Sequence, residues 1–146
     1  MAECDVAAVW AIAQSLPDAP HWPQSAYENA LRPESTPRRV ALVATGPESG
    51  SIVGFCVAIL LPPQAEIETI AMAQASQRQG LGRQLFRAMA AALKSRGAEE
   101  LFLEVRSSNR PARAFYRELG LVQTGSRPGY YTDPIEDAVL MRLALG

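Results

Sequence analysis

Glu66-Ile67-Glu68-Thr69-Ile70-Ala71-Met72-Ala73 is followed, after three residues, by Gln77-Arg78-Gln79-Gly80-Leu81-Gly82 and then by a long helical pattern. Residues 66–73 carry the β-branched Ile67, Thr69 and Ile70 and read as a strand. Residues 83–96 repeat Leu85, Phe86, Met89, Ala92 and Leu93 at helical spacing. Lys94 and Arg96 fall in the last turn of that helix, and Gly97 is placed to cap it. Between strand and helix, two glycines let the backbone come close to a ligand and turn its N–H groups outward. The helix N-terminus adds its dipole, so the turn suits an anion. Charge agrees. Residues 77–96 hold Arg78, Arg83, Arg87, Lys94 and Arg96 and no acidic residue; with −1 overall, the remainder of the chain carries −6. A P-loop would need GxxxxGK[ST], which does not occur, and GxGxxG fails because Leu85 stands at the third glycine position. By itself the turn also fits a bland reading, a tight connection ahead of a solvated basic helix face.

Upstream, Val6, Val9, Trp10 and Ala13 follow Asp5, a candidate N-cap, and predict a first helix ending near Leu16-Pro17. A second short helix is expected after Pro23, with Ser25 near its start and Tyr27, Ala30 and Leu31 as its apolar face. The period then changes. Residues 39–45 and 51–61 are strands, joined by a hairpin loop at 46–50. Downstream, 101–106 is a strand. Asn109 can cap the next helix, which tolerates Pro111 in its first turn and carries Ala112, Phe115, Tyr116 and Leu119 up to Gly120. Strands at 121–124 and 138–145 close the chain. The order α-α-β-β-β-α-β-α-β-β predicts one domain over 1–146, an α/β fold with helices on both faces of a mixed sheet.

The chain has 146 residues, 14 Lys+Arg against 15 Asp+Glu, one histidine and two cysteines. That length is expected to form one core. A net charge of −1 supplies no general attraction to phosphate backbones, so no nucleic-acid partner is expected. His21 with the distant Cys4 and Cys56 cannot make a tetrahedral zinc site, and no metal is expected. The cysteines read as reduced thiols of a cytoplasmic protein. Met1-Ala2-Glu3-Cys4-Asp5 lacks the basic flank of a signal peptide, and the longest apolar run, 52–61, is ten residues. A membrane helix needs about twenty. Ser-His-Asp catalysis is dismissed, since GxSxG is absent.

Gln77-x-x-Gly80-x-Gly82 resembles the Q/R-x-x-G-x-G/A signature of the GNAT acyltransferases. Three blocks are more specifically similar to the RimI family of protein N-terminal alanine acetyltransferases, which act on a small-subunit ribosomal protein. They are residues 66–72 with 77–82, then Leu103-Glu104-Val105-Arg106-Ser107-Ser108-Asn109, then Ala114-Phe115-Tyr116-Arg117-Glu118-Leu119-Gly120-Leu121. Arg127-Pro128-Gly129-Tyr130-Tyr131, Glu136-Asp137-Ala138 and Pro20-His21-Trp22 extend the likeness over nearly the whole chain. The resemblance implies a GNAT fold with a mostly antiparallel sheet, and acetyl-coenzyme A as co-substrate. Its pyrophosphate would lie on the backbone of Arg78, Gln79, Gly80, Leu81, Gly82 and Arg83. Its pantetheine arm would lie along Ile70, Ala71 and Met72, where a family bulge offers an N–H to the thioester oxygen. Asn109, first a helix cap, becomes a coenzyme contact by the same comparison.

Acyl transfer to an amine needs a base for the amine, a holder for the oxyanion and a proton for the departing thiolate. An α-amine is about 10–20% neutral at pH 7 and a lysine about 0.04%, a gap of roughly 3.5 kcal/mol. An α-amine therefore asks less of its base. Glu104 lies in an otherwise apolar strand, where burial favours a useful base, and it matches the RimI base position. Its bland reading is a strand carboxylate paired with Arg106 or Arg127. Glu66 is the rival base, and Glu68 shares its side of the strand by period-2 alternation; both can instead bind substrate. Glu66, Glu68, Glu136 and Asp137 together offer charge to a basic peptide. Tyr116 matches the family's general acid, although alone it reads as a core aromatic beside Phe115. Tyr130 and Tyr131, in a loop flanked by Pro and Gly, are candidate peptide contacts. His21 and Trp22 are candidates to shape the peptide pocket, although a lone histidine beside a proline reads first as structural.

GNAT chains usually open with a strand, whereas helical signal starts here by Asp5. The first strand is expected to be absent, which exposes the next strand's edge and leaves monomer and homodimer open. The leading function is acetyl transfer to a protein N-terminus, with a ribosomal protein as the partner that the resemblance implies. Lysine or small-amine acetylation is the alternative within the class, and a non-catalytic coenzyme-A-binding module the alternative outside it.

Overall fold

Strand and helix alternate in a way that places a sheet between two helical layers. The computed structural model describes residues 1–34, 36–47 and 50–146. Its elements are α1 (Val6–Ser15), α2 (Gln24–Ala30), β1 (Arg39–Thr45), β2 (Ile52–Leu61), β3 (Gln64–Met72), α3 (Leu81–Ser95), β4 (Glu100–Arg106), α4 (Arg110–Glu118), β5 (Val122–Tyr131) and β6 (Glu136–Ala144). The strands form one sheet in the order β1-β2-β3-β4-β6-β5. β3 and β4 are parallel, with α3 as their crossover; every other neighbouring pair is antiparallel.

Each face of the sheet has its own core. α3 sets Leu85, Phe86, Met89 and Leu93 against Cys56, Ile67, Leu101, Leu103 and Met141, with Tyr116 of α4 packed at the margin. On the opposite face Val6, Val9 and Ile12 of α1 and Tyr27 of α2 meet Phe55, Val57 and Ala71. β2 serves both cores, Phe55 and Val57 on one side, Cys56 and Ala58 on the other. A strand covered on both faces has no reason to alternate, which explains the unbroken apolar run at 52–61. α3 ends as its residues predict. Gly97 takes φ +97°, its N–H donates to the Lys94 carbonyl at 3.1 Å, and Ala98 N–H donates to the Leu93 carbonyl at 3.1 Å.

Three expectations change in detail. The last hairpin is longer than predicted, because β5 continues to Tyr131, so Tyr130 and Tyr131 lie on a strand rather than in a loop. Pro128 and Gly129 read as loop residues, yet β5 is an edge strand, where a missing N–H costs no ladder bond. The register shifts between Arg127 and Tyr131, and Gly129 N–H donates to Asp137 Oδ1 at 2.9 Å. Asp5 makes no side-chain cap on α1; its carboxylate accepts the Ala2 N–H at 2.7 Å instead. The 46–50 loop is closed by Gly46 N–H to the Ser51 carbonyl at 2.8 Å, while Glu48 and Ser49 lie outside the described residues. Among the described residues no strand precedes α1, as expected, and β1 is an edge of the sheet. No helix among the described residues is long and apolar enough to cross a membrane.

Candidate active site

β3 holds the irregularity from which the site is built. Its ladder with β2 pairs Thr69 with Val57 and Ile67 with Ala58, leaving Glu68 as an extra residue. A bulge of this kind bends the strand and exchanges its faces. Ala65 and Ile67 face the α3 core before it, whereas Ile70 and Met72 pack there after it and Ala71 turns to the α1 side. The bend also ends the pairing with β4. The two strands match Gln64 with Glu100, Ala65 with Leu101 and Glu66 with Phe102, and no further rung joins them among the described residues. β3 runs on to Met72 and β4 to Arg106, so an opening lies between two diverging strands.

Glu104 stands on β4 two residues past the last rung. Leu101, Leu103 and Val105 point into the α3 core, and alternation puts Phe102, Glu104 and Arg106 on the other face. The Glu104 side chain is only 13% exposed. Its Oε1 lies 3.5 Å from Arg127 Nη1, and its Oε2 is buried without a hydrogen-bond partner among the described residues. A buried acceptor left open in this way is costly unless an incoming donor completes it. The pair with Arg127 agrees with one of the two partners considered from sequence; Arg106 instead binds Glu136 at 3.4 Å.

Glu66, at the last rung, stands across the opening. Burial raises its carboxyl pKa, the charges of Glu104 and Glu68 raise it further, and Arg127 works against them. Glu68, at the bulge, is held by Arg39, whose Nε donates at 2.7 Å. Glu136 accepts from Ser108 N–H at 2.6 Å and Ser107 Oγ at 3.1 Å; the Ser108 side chain, then the Ser108 backbone, with Ser107 and Arg106 behind them, hold its carboxyl below the usual range. Three of the four carboxylates expected to meet a basic peptide, Glu68, Glu136 and Asp137, are therefore engaged within the protein. Glu66 makes no ion pair within 4 Å among the described residues.

Tyr130 and Tyr131 stack edge to face, with centroids 5.1 Å apart. Polar interaction with the nearby Glu104 carboxylate is the first cause that pushes the Tyr130 phenol up, followed by burial. Burial, then the Glu104 charge, moves Tyr131 up to about 12. Arg106 lies over the Tyr131 ring at 4.4 Å. Tyr116 approaches from α4, between Phe86 at 6.4 Å and Phe115 at 5.4 Å. Burial pushes its hydroxyl far above the ordinary phenol value, with Cys56 and Tyr131 as further electrostatic neighbours, so it stays protonated at every physiological pH. Tyr131 thus lies within the electrostatic reach of both Glu104 and Tyr116. Cys56 is fully buried and held as a thiol.

The glycine turn is as local as its sequence implies. Arg78 takes φ +63° and Gly80 φ +80°, and a Cβ on Gly80 would meet nothing within 4 Å. The surface over the turn is open. Gln77 Nε2 donates to the Met72 carbonyl at 3.1 Å and ties the turn to the end of β3. The first backbone bond into α3 is Gln84 N–H to the Gly80 carbonyl, so the N–H groups of Leu81, Gly82 and Arg83 have no intrahelical acceptor. No side chain caps this end and no acidic residue stands in the first turn. These features fit a polyanionic group. Asn109 does cap α4, Oδ1 accepting the Ala112 N–H at 3.2 Å.

Residues 8–121 match the acetyltransferase (GNAT) family model. The chain belongs to the GNAT acetyltransferase family. A ribosomal protein bS18-alanine N-acetyltransferase of Escherichia coli is 38% identical over 100 residues, 67% of this chain and 68% of that one. A Bacillus subtilis relative is 38% identical over 94 residues, 64% of this chain, and the match spans 62% of the relative's length. The crystal structure of the Escherichia coli ribosomal-protein-S18-alanine N-acetyltransferase superposes with a TM-score of 0.86 at 30% identity, covering 100% of this chain and 91% of that one. One feature of the site escapes sequence reasoning, the end of the β3–β4 ladder, which no local pattern marks. The sequence leaves Arg106 and Arg127 both open as partners of Glu104, and the structure selects Arg127.

Proposed function

We propose that this chain transfers an acetyl group from acetyl-coenzyme A to the N-terminal α-amine of a protein, with Glu104 as general base and Tyr116 as general acid. The observation that carries the proposal is Glu104, a buried carboxylate with one oxygen unpartnered, at the opening where β3 and β4 part. The names of the relatives point to an alanine at the start of a ribosomal protein as acceptor. The α-amine also requires the weaker base, by roughly 3.5 kcal/mol relative to lysine.

Acetyl-coenzyme A supplies the activated acetyl thioester. Arg78, Gln79, Gly80, Leu81, Gly82 and Arg83 would hold its phosphates, and the unpaired side of Ile70, Ala71 and Met72 its thioester arm. Glu104 takes a proton from the acceptor ammonium, directly or through a water. The freed amine nitrogen bonds the acetyl carbon, the carbon–sulfur bond breaks, Tyr116 supplies a proton to the sulfur, and the second proton of the nitrogen returns to the Tyr116 oxygen through solvent. One proton per turnover leaves to solvent. Tyr130 and Tyr131 line the acceptor side. The reaction is a cytoplasmic one carried out by a single domain.

A second reading of the base is favoured by one observation, the raised pKa of Glu66 beside Glu104. Thiol release is to be measured with acetyl-coenzyme A and an alanine-starting basic peptide, a lysine peptide with a blocked N-terminus, and a polyamine. Release with the first peptide alone supports the proposal. Release with either of the others moves the acceptor to that amine. Binding without release from any acceptor would make the chain a coenzyme-A-binding module.

A further inference from the structure

Arg127 sits on β5 opposite Ala138, at the last regular rung before the register shift that carries the chain to Tyr131. Its side chain is 57% exposed, yet it ends on a carboxylate that is 13% exposed. The contact is a single 3.5 Å approach, long for an N–H···O bond. Two other pairs on the sheet are tighter. Arg39 engages Glu68 through two nitrogens, the nearer at 2.7 Å, and Arg142 meets Glu100 at 2.6 Å. Arg106 meets Glu136 at 3.4 Å, so the pair at the candidate base is one of the two long ones on the sheet among the described residues.

The charges around the opening give this looseness a purpose. β3 contributes Glu66 and Glu68, and Glu68 is already matched by Arg39. β4 contributes Glu104 and Arg106, and Arg106 is drawn to Glu136 of β6 and the Tyr131 ring. β5 contributes Arg127, Tyr130 and Tyr131, and α4 contributes Tyr116, whose phenol stays neutral. Two carboxylates, Glu66 and Glu104, thus share one unmatched cation, Arg127. The acceptor brings one positive charge on the nitrogen that must lose its proton.

We propose that Arg127 is a displaceable counter-ion, its guanidinium standing on Glu104 in the place the acceptor ammonium takes and swinging to solvent when the amine arrives. The inference rests on Glu104 as the base. Arg127 is then a positioning residue that opposes the rise in the Glu66 carboxyl and competes with the acceptor ammonium for Glu104. Without that cation the Glu104 charge acts on Glu66 unopposed and raises its carboxyl further. In the same position the Arg127 guanidinium lies 5.5 Å from the Tyr130 ring, at the mouth.

Arg127→Ala and Arg127→Lys decide it in two measurements. Carbon-13 NMR titration of glutamate carboxyls in the ligand-free protein needs no turnover; in Arg127→Ala the Glu66 resonance is expected to titrate about one pH unit higher, and Lys restores it. The pH dependence of thiol release with the alanine-starting peptide is expected to shift its acid limb up by about the same amount. Above that limb, KM for the peptide is expected to fall about two- to fivefold with kcat within that range, because the competing cation is gone. An unmoved Glu66 titration overturns the counter-ion role, and a raised peptide KM overturns displacement, since Arg127 would then be holding the acceptor. If wild-type protein acetylates no N-terminus, the function proposed above fails, while the carboxyl titration still decides what Arg127 does.

Discussion

The two halves of the cleft are built on different principles. The turn at 77–82 presents backbone N–H groups, glycine and positive φ angles, all within a few residues and with no acidic side chain in the first turn of α3. The acceptor side is made of side chains from β3, β4, β5 and α4, whose charges are almost fully matched in pairs. A backbone cradle tolerates changes of side chain as long as the chain can make the turn. A carboxylate site depends on individual groups, because each buried charge is balanced by a named neighbour. Substitutions should therefore separate the halves: changes in the turn should move coenzyme binding, and changes across β3–β5 should move the chemical step.

The sharpest break is Glu104→Gln, which keeps the shape and removes the base. A loss of about 10²–10⁴ in kcat is expected, with KM for acetyl-coenzyme A unchanged. Glu66→Gln in parallel should cost less than about threefold; reversal of the two results moves the base to Glu66. Tyr116→Phe keeps the packing against Phe86 and Phe115 and removes the donor to sulfur. It is expected to lower kcat about ten- to a hundredfold in steady-state assays, with little change in thermal midpoint.

Gly80→Val tests the other half. A β-branched residue at φ +80° costs about 1–3 kcal/mol, so KM for acetyl-coenzyme A should rise about tenfold while kcat at saturation holds. An equal loss of kcat would mean the halves are not separable. The smallest effect belongs to Glu136→Gln. The native carboxyl is held below its unfolded value of 4.5, so its stabilisation is present above that pH and is lost as pH falls through the folded value. Thermal melts of wild type and variant should differ most near pH 7 and converge on acidification below about 4.5.

Strands and helices were legible wherever one residue pattern covers an element with a single face or a single environment. β1 falls on residues 39–45 as expected, and Asn109 caps α4 through the side chain that its position implied. Tyr130 and Tyr131 were misplaced because Pro128 and Gly129 read as a loop until one knows that their strand is at an edge. Glu66 and Glu68 appeared equivalent by alternation, and the bulge at Glu68 separates them, one at the opening and the other bound to Arg39. Glu136 and Asp137 looked like charge available to a peptide, yet the backbone N–H groups of Ser108 and Gly129 already hold them.

By itself the sequence determined the family, the strand–glycine turn–helix unit and the anion-seeking start of α3, because all of these rest on local dihedrals and helix geometry. Only the tertiary structure decided where β3 and β4 part, which of five acidic side chains keeps a buried oxygen open, and which arginine stands before it. Those follow from pairing register across strands far apart in the chain. A one-residue bulge shifts that register without changing the composition or period that a sequence displays.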